Sequence, residues 1–172
     1  MSAHFFGVYR GKVEGNVDPM NRGRLQVSVP EVYGDGRLAW AEPCAGYAGD
    51  SVGGFALPPV GTMGWIQFER GDPDYPVLAG LFWKDSQSPA SGLEQEKVFK
   101  TSGVKVTVSD ASGAGGVTVE VGSPAVNQTI KFALTSSGIE LSMGSSKIKL
   151  DGTNVTVDGS KVTVNNGALE VT

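Results

Sequence analysis

The chain is poor in the residues that carry most chemistry. It has one cysteine, Cys44, and one histidine, His4. A single cysteine excludes an internal disulfide framework and fits a reducing place of synthesis. Only the distant His4 could activate Cys44, so a nucleophilic thiol is not expected. Charged residues make up 19% and the net charge is −4. That leaves no basic footprint for nucleic acid or an anionic membrane. No run approaches ~18 consecutive apolar residues, the length a membrane-spanning helix needs. The opening "MSAHFFGVYRGKVEG" is too polar for a signal peptide, so cytoplasmic synthesis without a cleaved leader is expected. No window shows a 3.6-residue apolar period.

Glycine, in contrast, is abundant at 25 of 172 residues. That is about twice the usual ~7% and points to many tight turns or close backbone approaches. The other aromatics divide the chain. Residues 1–85 hold every Trp and Tyr and the only His, whereas residues 104–172 hold none of these and one Phe, Phe132. Between them "KDSQSPASGLEQEK" (84–97) is polar and carries Pro, Ser and Gly, the composition of a linker. The boundaries read from this are 1–85, a connector at 86–103, and 104–172.

In the first region, Leu25, Val27 and Val29 alternate with Gln26 and Ser28 until Pro30 stops the run. Val8 to Val13 reads as its partner strand, with "NVDPMNRG" (16–23) as the hairpin loop. "LAWAEP" (38–43), "GWIQFE" (64–69) and "PVLAGLFW" (76–83) supply three more strands. Five short strands in some 80 residues predict a small closed barrel, with the OB-fold as first choice.

The second region is a strand array. Ile139/Leu141, Ile148/Leu150, Val155/Val157, Val162/Val164 and Leu169/Val171 are alternating apolar pairs, with Gly144, Gly152, Gly159 and Gly167 between them. Upstream, "VKVTV" (104–108), "VTVEV" (117–121) and "IKFAL" (130–134) are longer strands. Each pair gives its strand one dry face and one wet face. A short fixed period marks a repeat architecture whose unit cannot bury its own face. One chain stepping ~7 residues at a time is too short for a wide solenoid turn. Three chains winding together solve this, with the ten paired residues meeting on the axis. The expected fold is therefore all-β: an OB-fold barrel, then a triple-stranded intertwined β-helix in a homotrimer.

Two stretches carry a family resemblance. "NVDPMNRGRLQVSVP" (16–30) resembles a D-P-x-x-x-G-R opening, and "GGFALPPVGTMGWIQFERGDPDYPVLAGLFW" (53–83) resembles a P-x-V-G and F-x-x-G-D-P-x-x-P-V signature. Both are similar to the OB-fold domain in the central spike of contractile-tail phages and injection systems, represented by phage baseplate assembly protein V and the VgrG spike. The likeness covers about 70 of the first 85 residues, and a β-helical needle follows the OB domain in that family. It implies a structural, non-enzymatic spike that transmits sheath force to puncture a target envelope. It would be assembled in the bacterial cytoplasm and would act in a particle baseplate. It also implies a hub or tube-initiator protein at the N-terminal end and a PAAR-like tip protein at the C-terminal end, near Asn165, Asn166, Gly167 and Thr172. The family usually has a hydrophobic residue where Gly64 stands, so that strand is expected to start later or pack against a neighbour. Some phage spikes end in a His-x-His iron site; "NNGALEVT" has no such motif, and no metal or cofactor is expected.

Other chemistry is weaker. "GDPDY" (71–75) offers Asp72 and Asp74 as a carboxylate pair, but Gly71, Asp72 and Pro73 are turn formers and the segment reads as a turn. "GAGG" (113–116) lacks the Lys-Ser/Thr of a phosphate loop. Trp40, Trp65 and Trp83 would suit a stacking platform for nucleic acid or glycan, which makes an OB-fold binding module the alternative reading. A β-helical polysaccharide-degrading enzyme needs clustered acids, and residues 139–172 place Glu140, Asp151, Asp158 and Glu170 only in turns or on the wet face.

Overall fold

The computed structural model describes residues 3–164 and 169–171. The chain forms two compact units, Met1–Gln87 and Ser88–Thr172.

The first unit contains β1 (Tyr9–Gly15), β2 (Leu25–Ser28), a one-turn helix α1 (Pro30–Tyr33) and β3 (Leu38–Pro43). A two-residue hairpin pair, β4 (Ala48–Gly49) and β5 (Val52–Gly53), precedes β6 (Met63–Phe68) and β7 (Pro76–Phe82). The five longer strands close a barrel in the order β1-β2-β3-β7-β6. All neighbours are antiparallel except β3 and β7. The period-2 pattern is realised in β2, where Leu25 and Val27 are buried and Gln26 and Ser28 are partly exposed. Val13, Leu25, Val27, Val29, Ala41, Ile66, Phe68 and Leu78 form the core. Pro30 ends the strand and then starts α1, where its missing N–H costs nothing. A single turn is too short to show a period, so this helix was not legible in the sequence.

Two glycines let this core close. Gly11 and Gly64 face each other across β1 and β6. A Cβ on Gly11 would lie 2.5 Å from Ile66 Cγ1. One on Gly64 would collide with Leu78 and come within 3.0 Å of the Gly80 carbonyl oxygen. The strand does not start late at Gly64, since β6 begins at Met63 and Gly64 is buried within it. The absent side chain leaves the space that Leu78 occupies.

The second unit contains β8 (Glu96–Lys100), β9 (Val104–Ser109), β10 (Gly116–Val121), β11 (Ile130–Thr135), β12 (Gly138–Met143), β13 (Ser146–Leu150) and β14 (Val155–Asp158). They form one antiparallel meander in which each strand pairs with the next. The sheet thus starts at Glu96, inside the stretch read as connector. β15 (Val162–Val164) and β16 (Leu169–Val171) pair separately. Only residues 136–137 join β11 to β12, and only 144–145 join β12 to β13. Connections this short return the chain directly along the preceding strand. Strand order within the sheet is therefore set by one chain, and the pairing of β8 to β14 is intrachain.

Replacing Gly64 with Val should overpack the barrel and lower stability by about 1–3 kcal/mol. Chemical denaturation of the full chain would measure this, and an unchanged midpoint would contradict the packing argument.

Candidate functional site

The strongest candidate site is a sheet face. Cross-strand register aligns Phe99, Val106, Val119, Phe132, Leu141, Ile148 and Val157 in one row across all seven strands. A second row runs through Val108, Val117, Leu134, Ile139, Leu150 and Val155, with Lys97 at its β8 end. Directly opposed side chains in such rows are close enough to pack as pairs. In the isolated chain nothing covers them well: Leu141 is 50% exposed, Ile148 47% and Val155 72%. An apolar surface this continuous marks an interaction site.

The other face is polar. Lys105, Glu120, Lys131, Ser142, Lys147 and Asp158 follow one another across β9 to β14. Opposite charges oppose each other at three steps of this row, which favours the register. Lys147 Nζ lies 3.0 Å from Asp158 Oδ2, and that contact raises the lysine pKa above its ordinary value. Glu140 and Lys149 are register partners on the same face. The sheet has a wet side and a dry side, and among the described residues nothing fully covers the dry side.

Six of the ten residues expected in a needle core are thereby brought together: Ile139, Leu141, Ile148, Leu150, Val155 and Val157. Val162 pairs with Val171, and Val164 with Leu169, in the small β15/β16 ladder. Asn165, Asn166, Gly167 and Thr172, expected to meet a tip protein, lie outside the described residues.

The GDP segment is a turn. Gly71 is buried at φ +78°, a conformation that favours glycine. Asp72 Oδ1 accepts the Asp74 N–H at 3.0 Å, and the Asp72 carbonyl accepts the Tyr75 N–H at 3.1 Å. Tyr33 of α1 donates its hydroxyl to the Pro73 carbonyl at 2.6 Å. Burial pushes the Tyr33 phenol up to about 12. The tryptophans have separate partners. Arg10 sits 4.9 Å from the Trp65 ring and 4.8 Å from Phe82, Arg24 sits 5.2 Å from Trp40, and Trp83 is exposed. Cys44 is a free, exposed thiol, and His4 stacks on Phe6. Among the described residues no group of three His, Cys, Asp or Glu side chains could hold a metal ion.

Sequence reading missed the ion pair inside the 16–24 loop. Asp18 accepts backbone N–H groups from Met20 at 3.0 Å, Arg22 at 2.9 Å and Arg24 at 3.2 Å. It also accepts Arg24 Nη2 at 2.8 Å and Nε at 3.2 Å. The Asp18 side chain is 2% exposed. The Arg24 guanidinium first, and the three N–H groups after it, hold its carboxyl well below the usual carboxylate range, although burial works the other way. One carboxylate thus fixes the whole loop. Its signal in the sequence is an Asp followed six residues later by Arg, across a Pro- and Gly-bearing loop.

Comparison with known proteins accounts for both units. Residues 9–83 match the type VI secretion system/phage-baseplate injector OB domain. Residues 96–170 match the phage baseplate V C-terminal trimerisation domain. The chain is 29% identical over 79 residues to the actin cross-linking toxin VgrG1 of Vibrio cholerae, which covers 44% of this chain and 7% of that protein. It is 33% identical over 70 residues to the type VI secretion system spike protein VgrG5 of Pseudomonas aeruginosa, covering 39% of this chain and 9% of that one. The match spans less than a tenth of either relative's length.

Asp18 gives this site a pH signature. Its folded pKa is below the unfolded value of about 3.9, so its stabilisation is fully present above about pH 4. It is lost as pH falls through the folded pKa. Asp18→Asn should lower the Tm of the barrel by several degrees at neutral pH, and the gap to the parent should close as pH falls below about 4. Calorimetry over a pH series checks both parts; a gap that stays constant with pH contradicts the assignment.

Proposed function

We propose, for a chain that belongs to the phage baseplate V family of injector spikes, a structural role as a homotrimeric spike at the centre of a contractile injection machine. Residues 1–85 would form the collar and 104–172 the needle, with β8 (Glu96–Lys100) of the 86–103 stretch belonging to the needle sheet and only the residues before it left as connector. The observation that carries this reading is the uncovered apolar face spanning all seven strands of a unit that matches a trimerisation domain.

Three copies can turn these faces inward about one axis and leave the charged faces in water. Each buried Leu, Ile, Val or Phe then contributes roughly 1.5–3 kcal/mol relative to exposure. The triple-stranded, intertwined β-helix is the trimeric form expected from the sequence. With β8 to β14 already paired within one chain, the contacts that three copies add lie between faces and at the β8 and β14 edges. Covering those edges also removes a route to aggregation.

The mechanism is mechanical. Axial force from a contracting sheath would pass along a shaft in which many strands must fail together, and the C-terminal end would open the target envelope. A hub or tube-initiator protein would hold the N-terminal end. A PAAR-like tip protein would cap the C-terminal end through Asn165, Asn166, Gly167 and Thr172. No residue is assigned a catalytic role, and no cofactor or nucleic acid is required.

Quantitative mass spectrometry of purified particles, normalised to the tube protein, should find three copies of this chain per baseplate. Six or more copies, or its absence from particles, would exclude a central spike.

A further inference from the structure

The two poles of the barrel differ in character. β1 and β3 end, β2 and β6 begin, and β7 ends at one pole, as their registers require. This pole therefore carries the 16–24 loop, the 44–62 segment and the point where the chain leaves at Phe82. Exposed apolar side chains are more numerous there: Val17 82%, Met20 62%, Tyr47 65%, Phe55 70%, Val60 56% and Trp83 68%, against Phe6, Val8 and Tyr75 at the other pole. The opposite pole is built from the segment before Tyr9, residues 29–37 and residues 69–75, and these last two segments carry Glu31, Asp35, Arg37, Glu69, Arg70, Asp72 and Asp74.

The apolar pole is also rigidly framed. Asp18 pins the loop that presents Val17 and Met20. Asn16 Nδ2 donates to the Pro58 carbonyl at 3.0 Å, tying the 54–62 stretch to the same frame. A Cβ on Gly23 would come 2.9 Å from the Phe55 ring, so that ring lies on the loop. A loop whose polar groups are satisfied internally while its apolar ones face out is preorganised for a dry contact.

We infer that this pole is an interface between collars, and that its occupants are the same poles of the two other copies. The inference rests on the trimer reading above and names a second contact that the sheet does not provide. Thirteen residues, 83–95, lie between the end of β7 and the start of β8. At ~3.3–3.6 Å per residue they span at most about 45 Å. Each collar leaves for the trimerisation domain from its apolar pole, so these poles are the tethered ends. Tethering of this kind raises the effective concentration of one pole for another to about the millimolar range. Continuity with the trimerisation domain therefore favours copies of this chain over an outside protein, and the charged pole is left facing away from the tether.

Hydroxyl-radical footprinting of the native full-length chain, read by mass spectrometry beside its solution mass, tests this. After correction for intrinsic reactivity, Met20 and Phe55 should label several-fold more slowly than Phe6 and Tyr75, which are 79% and 60% exposed at the other pole. The double variant Met20→Glu, Phe55→Glu should keep the trimeric mass while labelling of Trp83 rises several-fold. A trimer whose Met20 and Phe55 label as fast as Phe6 overturns the inference and leaves the trimer standing. Protection that arises only on adding another baseplate protein also overturns it. A monomeric mass removes the trimer reading and this inference together.

Discussion

The trimerisation unit depends on one unsatisfied requirement: a seven-stranded sheet with an apolar face that nothing among the described residues fully covers. Burial of apolar surface is the main favourable term in folding, and it is proportional to the area taken from water. Here the chain supplies rows such as Phe132, Leu141, Ile148 and Val157 but leaves them wet. Each strand from β9 to β13 already has a partner on both sides, so apart from the β8 and β14 edges what remains to be gained lies on that face. In the proposed trimer, the two other copies supply the cover. The charged rows on the other side suit a surface that stays in water.

The barrel solves a different problem. It buries its own core, and Gly11 and Gly64 let Ile66 and Leu78 fill it. Its loops are held by local polar contacts, with Asp18 on one pole and the Gly71–Asp72–Pro73 turn on the other. These contacts position side chains without placing any reactive group beside another. The result is a barrel with its loops tied to its frame, which suits the collar proposed above.

Much of this was legible in the sequence because strands declare themselves by alternation and proline. Leu25-Gln26-Val27-Ser28 and Pro30 gave a strand and its end, and Ile139/Leu141 with Ile148/Leu150 gave a dry face. Partners were less legible than faces. Alternation says which way a side chain points, not which strand lies beside it, so the intrachain meander had to come from the structure. β8 was hidden because Glu96, Lys97 and Lys100 dominate it; charge is a common feature of edge strands. The Asp18–Arg24 pair was hidden because its partners belong to one loop, where a charged residue reads as solvated.

The measurement that tests the central claim most directly is absolute mass in solution by light scattering, made on the parent chain and on Leu141→Glu, Ile148→Glu. The account predicts a parent mass near three times 17.9 kDa, persisting in unheated detergent, and loss of that species in the variant. A folded, monodisperse parent of 17.9 kDa would mean that the apolar face needs no partner, and the spike reading would be wrong.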